Sequence, residues 1–109
     1  AESVDRAANC RKAIDCYDMI LGVYNLEDHP EEYAAGLNNL GVVYRMLAEH
    51  EDKSESCTRA LGCYSRALRV YTETDFPIQY GSTKNNIGLA YMTLADAVDR
   101  ESNCKQAVK

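Results

Sequence analysis

No apolar run in these 109 residues approaches the ~20 that a membrane-crossing helix needs, and none of the chain reads as a secretory leader. No membrane role is expected. Strand signals are missing too: no alternating apolar–polar run is bounded by an Asn-Gly or Asp-Gly turn. Lys and Arg number 12 against 17 Asp and Glu, a net charge of -5, which argues against gripping the phosphate backbone of a nucleic acid. The five cysteines include no Cys-x-x-Cys pair with histidine nearby, so no metal is expected. There is no nucleophile–base pair, glycine-rich phosphate loop or carboxylate cluster. Neither enzymatic activity nor a cofactor is expected. What remains is ordinary: 46% hydrophobic and 27% charged residues suit one globular unit spanning 1–109.

What the chain does contain is a repeat. Asn38-Asn39-Leu40-Gly41-Val42-Val43-Tyr44 returns as Asn85-Asn86-Ile87-Gly88-Leu89-Ala90-Tyr91, an offset of 47 residues. The same offset relates Cys10, Cys57 and Cys104, then Asp5, Asp52 and Asp99, then Pro30 and Pro77. Every tyrosine has its copy: Tyr17 and Tyr64, Tyr24 and Tyr71, Tyr33 and Tyr80, Tyr44 and Tyr91. Such a period signals stacked supersecondary units. The units are 1–47, 48–94 and a partial 95–109, and because the ends fall inside a unit, a segment of a longer array is expected.

Spacing makes the units helical. Ala13, Ile14, Tyr17, Ile20, Leu21 and Tyr24 form one apolar stripe of a helix over about residues 9–26. Pro30 opens a second helix to about 49, since proline is tolerated where the first-turn N–H has no partner. Its stripe is Tyr33, Leu37, Leu40, Tyr44 and Leu47. Beside it runs a row of small residues, Ala34, Gly41 and Ala48, repeated as Gly81, Gly88 and Ala95. A mid-helix glycine costs ~1 kcal/mol, so the row predicts close approach of a neighbouring helix. Copies of the two helices follow over about 54–74 and 77–98, and a fifth begins near residue 101. Asp5, Asp52 and Asp99 are placed to cap the odd-numbered helices. Lys84 replaces Leu37 on its stripe, which predicts exposure there.

Equivalent positions of stacked helices lie roughly 10 Å apart, too far for a disulfide, which needs Cα atoms within about 7 Å. The cysteines therefore read as small buried hydrophobes in a reducing, cytoplasmic compartment. The tyrosines read as core, His29 and His50 as solvated loop residues, and the acidic run 49–55 as a solvated turn.

Leu40-Gly41…Tyr44 followed by Ala60…Tyr64…Ala67 resembles the tetratricopeptide repeat, and Ile87, Gly88 and Tyr91 match its first-helix element again. Ala13 and Tyr17 match in the first unit, with Ile20 in place of the second alanine; Pro30 and Pro77 stand at the closing proline. The unit departs in length, 47 residues against about 34. Long units of this kind look like those of bacterial and archaeal proteins that accompany signalling ATPases or caspase-like peptidase domains. The resemblance implies an all-α, right-handed α-solenoid of antiparallel helix pairs, about five helices here, whose concave groove grips an extended peptide or a partner helix. Carried over by position, the groove residues are Asn38, Asn39, Val42, Arg45 and Met46, with Asn85, Asn86, Leu89, Met92 and Thr93. Asn39 and Asn86 stand where several family members bond a ligand's backbone. Arg45 is the only basic residue among the ten, so carboxylate capture is not expected.

The paired asparagines call for a reason of their own, because asparagine is a poor mid-helix residue. Either their amides bind a ligand backbone, or they form a structural ladder between units. The first reading leaves Asn38 and Asn85 exposed and Asn39 and Asn86 structural. Three functions stay open: a scaffold for a protein or peptide partner, a regulatory array that restrains a linked effector, and a structural segment that self-associates through its repeat faces.

Overall fold

The computed structural model describes residues 2–108, and side chains for residues 5–99. The described residues form four helices: α1 (Glu2–Val23), α2 (Pro30–Leu47), α3 (Lys53–Ala67) and α4 (Pro77–Val108). The described residues contain no strand. None of their helices is long and apolar enough to cross a membrane.

The expected fifth helix is instead the continuation of α4, which runs 32 residues without a break. The difference between the two copies lies at one backbone position. At the first boundary Asp52 takes φ 40 and ψ 54, a left-handed conformation that reverses the chain into α3, and aspartate tolerates that region better than most residues. Its copy Asp99 lies within α4. No glycine or proline follows Val98, so nothing local obliges the helix to stop. Two of the three expected caps therefore lie inside helices, Asp5 in α1 and Asp99 in α4. The third is at the right place but makes no side-chain cap bond. A capping side chain needs an extended-type backbone to reach the first N–H groups, and φ 40 points it elsewhere.

α3 stops at Ala67, seven residues short of expectation. There Arg69 N–H turns to Arg66 O (3.2 Å) and Val70 N–H to Ala67 O (3.0 Å), the tighter spacing that closes a helix end. The connections after α1 and α3 are built alike. Asn25 Oδ1 accepts the Asp28 N–H (2.7 Å), and Thr72 Oγ1 accepts the Asp75 N–H (3.2 Å). His29 N–H reaches Asn25 O and Phe76 N–H reaches Thr72 O. Tyr24 meets His29 edge-on at 5.1 Å, as Tyr71 meets Phe76 at 5.5 Å. Each pair is 47 residues apart. The repeat is one of conformation as well as of sequence.

The helices pack in chain order, α1 on α2, α2 on α3, α3 on α4, with a lighter contact between α2 and α4. Short connections make successive helices antiparallel, as shown by the bonds from Arg66 near the end of α3 to Tyr33 near the start of α2, and from Lys53 at the start of α3 to Asp96 in the second half of α4. The 19 Å thickness is that of two helix layers, and the 54 Å length follows α4. α2 is the centre. Leu37 and Leu40 meet Cys63, Ala67 and Tyr71 in one cluster; Leu47 meets Ala7 and Cys10 in a second; Val42 and Tyr44 pack on Ala60, Tyr64 and Ala90 in a third.

The glycine row behaves as expected in one unit only. A Cβ on Gly41 would sit 2.5 Å from Tyr64 Cε1, whereas one on Gly81 or Gly88 would meet nothing within 4 Å. The fully buried Tyr64 ring lies against the Gly41 backbone, and Gly88 has no such neighbour within 4 Å. Tyrosines divide the same way. Tyr64 and Tyr71 are core, while their copies Tyr17 and Tyr24 are half-buried and exposed, and Tyr91 is 58% exposed. Lys84 is exposed, its Nζ 6.0 Å above the Tyr80 ring.

Candidate partner-binding wall

The ten groove candidates lie on α2 and α4, and contact between those helices sorts them. Asn38 and Val42 lie on the side of α2 that turns toward α4. Asn38 is half-buried, and its Oδ1 accepts from Thr83 Oγ1 (3.1 Å) and Asn86 Nδ2 (3.4 Å). The ladder reading thus holds for Asn38 and Asn86, and the expectation that Asn38 stands exposed does not. The reason is register: the two helices meet with a 48-residue offset at this bond, so the first asparagine of one unit meets the second of the next. Val42 packs beside Ala90.

Arg45 is half-buried beside Tyr64. Burial pushes the Tyr64 phenol pKa up, and the Arg45 guanidinium opposes the rise. Neither Arg45 Nε nor the Tyr64 hydroxyl completes a hydrogen bond among the described residues. Arg45 is therefore poorly placed to reach a ligand carboxylate. Thr93 is half-buried and donates to its own helix at Leu89 O (3.2 Å).

Five candidates remain open: Asn39 and Met46 on α2, Asn85, Leu89 and Met92 on α4. Met46 is 52% and Met92 70% exposed. Asn39 and Asn85 make no side-chain hydrogen bond among the described residues. Asn38 and Asn39 edge a shallow cleft of about 250 Å³ with Ala35, Tyr71, Ile78, Gln79 and Ser82. Met46 on α2 and Leu89 and Met92 on α4 offer flexible apolar side chains that adapt to a partner, and Asn39 and Asn85 offer amides that can pair with a backbone.

A second concavity was not foreseen from the sequence. About 620 Å³ opens between α1 and the end of α2, lined by Arg6, Asn9, Cys10, Ala13, Val43, Met46, Glu49 and His50. His50, expected as a solvated loop residue, is half-buried here. The copy of this place between α3 and α4 is closed, with Cys57, Ala60, Ala90 and Ala97 all buried and Lys53 bridging to Asp96 at 3.5 Å. Ala90, Thr93 and Ala97 there replace Val43, Met46 and His50. The exchange of bulky for small residues at equal register was a legible signal of a gap.

Cys10, Cys57 and Cys63 are buried, and burial raises each thiol pKa, that of Cys63 to about 11. Cys16 is exposed, contrary to expectation, because no helix covers its side of α1 as α2 covers Cys63. Cys104 lies outside the residues whose side chains are described. Comparison with protein-family models, curated proteins and solved structures finds no match for this chain.

Proposed function

We propose that this chain is a binding module: a right-handed solenoid of helix pairs, of tetratricopeptide type, that holds an apolar protein segment against the wall formed by Asn39, Met46, Asn85, Leu89 and Met92. The observation that carries this reading is the exposure of Met46 on α2 and of Leu89 and Met92 on α4, together with Asn39 and Asn85, whose amides make no side-chain hydrogen bond among the described residues. Apolar side chains of that size stay in water at a cost of roughly 1.5–3 kcal/mol each relative to burial, and grouped exposure marks a surface that a partner covers. The action is shape and hydrogen bonding, with no covalent step. Free thiols at Cys10, Cys16, Cys57 and Cys63 support a reducing, cytoplasmic setting.

The test is selection from a displayed library of short peptides, followed by mapping of the selected peptide on the chain by amide chemical shifts. Binding is expected to perturb residues around Asn39, Leu89 and Met92 and to be lost in Met92→Glu. A library that yields no binder, or binders that map elsewhere, would overturn the proposal.

A further inference from the structure

We propose that the wall on α4 takes a second copy of this chain, stacked head to tail, with α1 and α2 of the arriving copy packing on α4 by the same step that sets α3 and α4 on α2. This deepens the reading above and rests on it for Asn39, Asn85, Leu89 and Met92; the face of α1 is independent of it.

The interface already exists once inside the chain. α2 presents Leu37, Gly41 and Tyr44 to α3 and presents Asn38 and Val42 to α4. Forty-seven residues on, α4 presents Lys84, Gly88 and Tyr91, and then Asn85, Leu89 and Met92, all exposed. The covering helix has its copy too. Cys63, Ala67 and Tyr71 of the α3 hairpin are buried against α2, and their copies Cys16, Ile20 and Tyr24 on the α1 side are exposed. The chain thus carries both halves of its own internal interface, one at each end. Such a contact joins unlike surfaces and propagates without closing.

The asparagines identify the occupant. Within the chain, Asn86 on α4 donates to Asn38 on α2. The register copies of that pair are Asn39 and Asn85, the two that lack a side-chain bond among the described residues. One further step brings Asn39 of the arriving copy to Asn85, and Tyr17 of the arriving copy to the open backbone of Gly88, as Tyr64 lies on Gly41. Lys84 is the departure. It stands where Leu37 is fully buried, so the seam holds a cation and assembly requires high concentration.

Sedimentation equilibrium of the full chain in reducing buffer tests this, with two single-face variants. Cys16→Arg blocks the α1 face and Gly88→Arg the α4 face, each at a position exposed in the single chain. Wild type is expected to gain mass beyond the dimer as concentration rises. Each variant alone is expected to stay monomeric, and an equimolar mixture to stop at a 1:1 dimer, because each supplies the face the other lacks. Lys84→Leu is expected to tighten assembly about tenfold. A wild type monomeric at its highest soluble concentration would overturn the inference, as would dimers of either variant alone. A monomeric chain that still selects library peptides would remove the stack and leave the peptide reading standing; a stacking chain that selects none would do the reverse.

Discussion

Gly41 and Gly88 hold the same place in successive units, so the same replacement at each isolates what the neighbours do. At Gly41 an alanine Cβ would fall 2.5, 2.8 and 2.9 Å from three carbons of the Tyr64 ring. That ring is fully buried and cannot swing into solvent, so α3 must shift or the ring must leave its rotamer. Overpacking of this kind costs about 1–3 kcal/mol, while alanine returns ~1 kcal/mol of helix propensity. The net expectation for Gly41→Ala is a loss of up to about 2 kcal/mol. At Gly88 nothing lies within 4 Å, so only the propensity gain remains, and Gly88→Ala should stabilise by ~1 kcal/mol. For a domain near this size each kcal/mol moves Tm by about 4–8 °C. Urea and thermal melts followed by circular dichroism, at dilution low enough to keep the chain monomeric, should show the two variants moving in opposite directions. Equal shifts, or a stabilised Gly41→Ala, would refute the claim that Tyr64 rests on the Gly41 backbone.

The asparagines should separate by stability: Asn38→Ala strips Thr83, whose side chain is fully buried, of its acceptor and should cost about 1–3 kcal/mol, whereas Asn39→Ala and Asn85→Ala should stay within about 0.5 kcal/mol in the same urea titration. Asp52→Gly should be neutral or stabilising, because glycine enters the left-handed region freely, and Asp52→Val should lose roughly 1–2 kcal/mol; a stable valine variant would refute the strained turn. Cys63, its thiol pKa raised to about 11 by burial, stays protonated in the fold at a pH where the unfolded chain ionises. Its contribution to stability is therefore complete below the ordinary thiol range near pH 9 and is lost as pH rises through about 11. Urea midpoints measured across that window should fall, and Cys63→Ala should flatten the fall. At neutral pH a maleimide should label Cys16 ahead of Cys63, the order their exposure sets.

The period, four of the five expected helices and their order were legible in the residues, and so was the proline opening of α2, because these depend on spacing along one strand of chain. Local chemistry also repeats faithfully: Asn25 and Thr72 build the same turn from different side chains. The sequence also equated positions that the folded chain treats differently. Gly41 and Gly88, Asn38 and Asn85, Cys63 and Cys16 are copies by register, yet the first of each pair is covered and the second open. No residue's identity carries that difference, since burial is a property of the neighbour. α2 has a helix on each side of it and α4 does not. The same holds for the absent fifth helix: an aspartate stands at both boundaries, and only the backbone turn at Asp52 makes one of them an end. Sequence determined what each surface could pair with, through a stripe pattern written twice; tertiary structure decided which copy of each stripe was already paired, because packing is a matter of which helix arrives at that face.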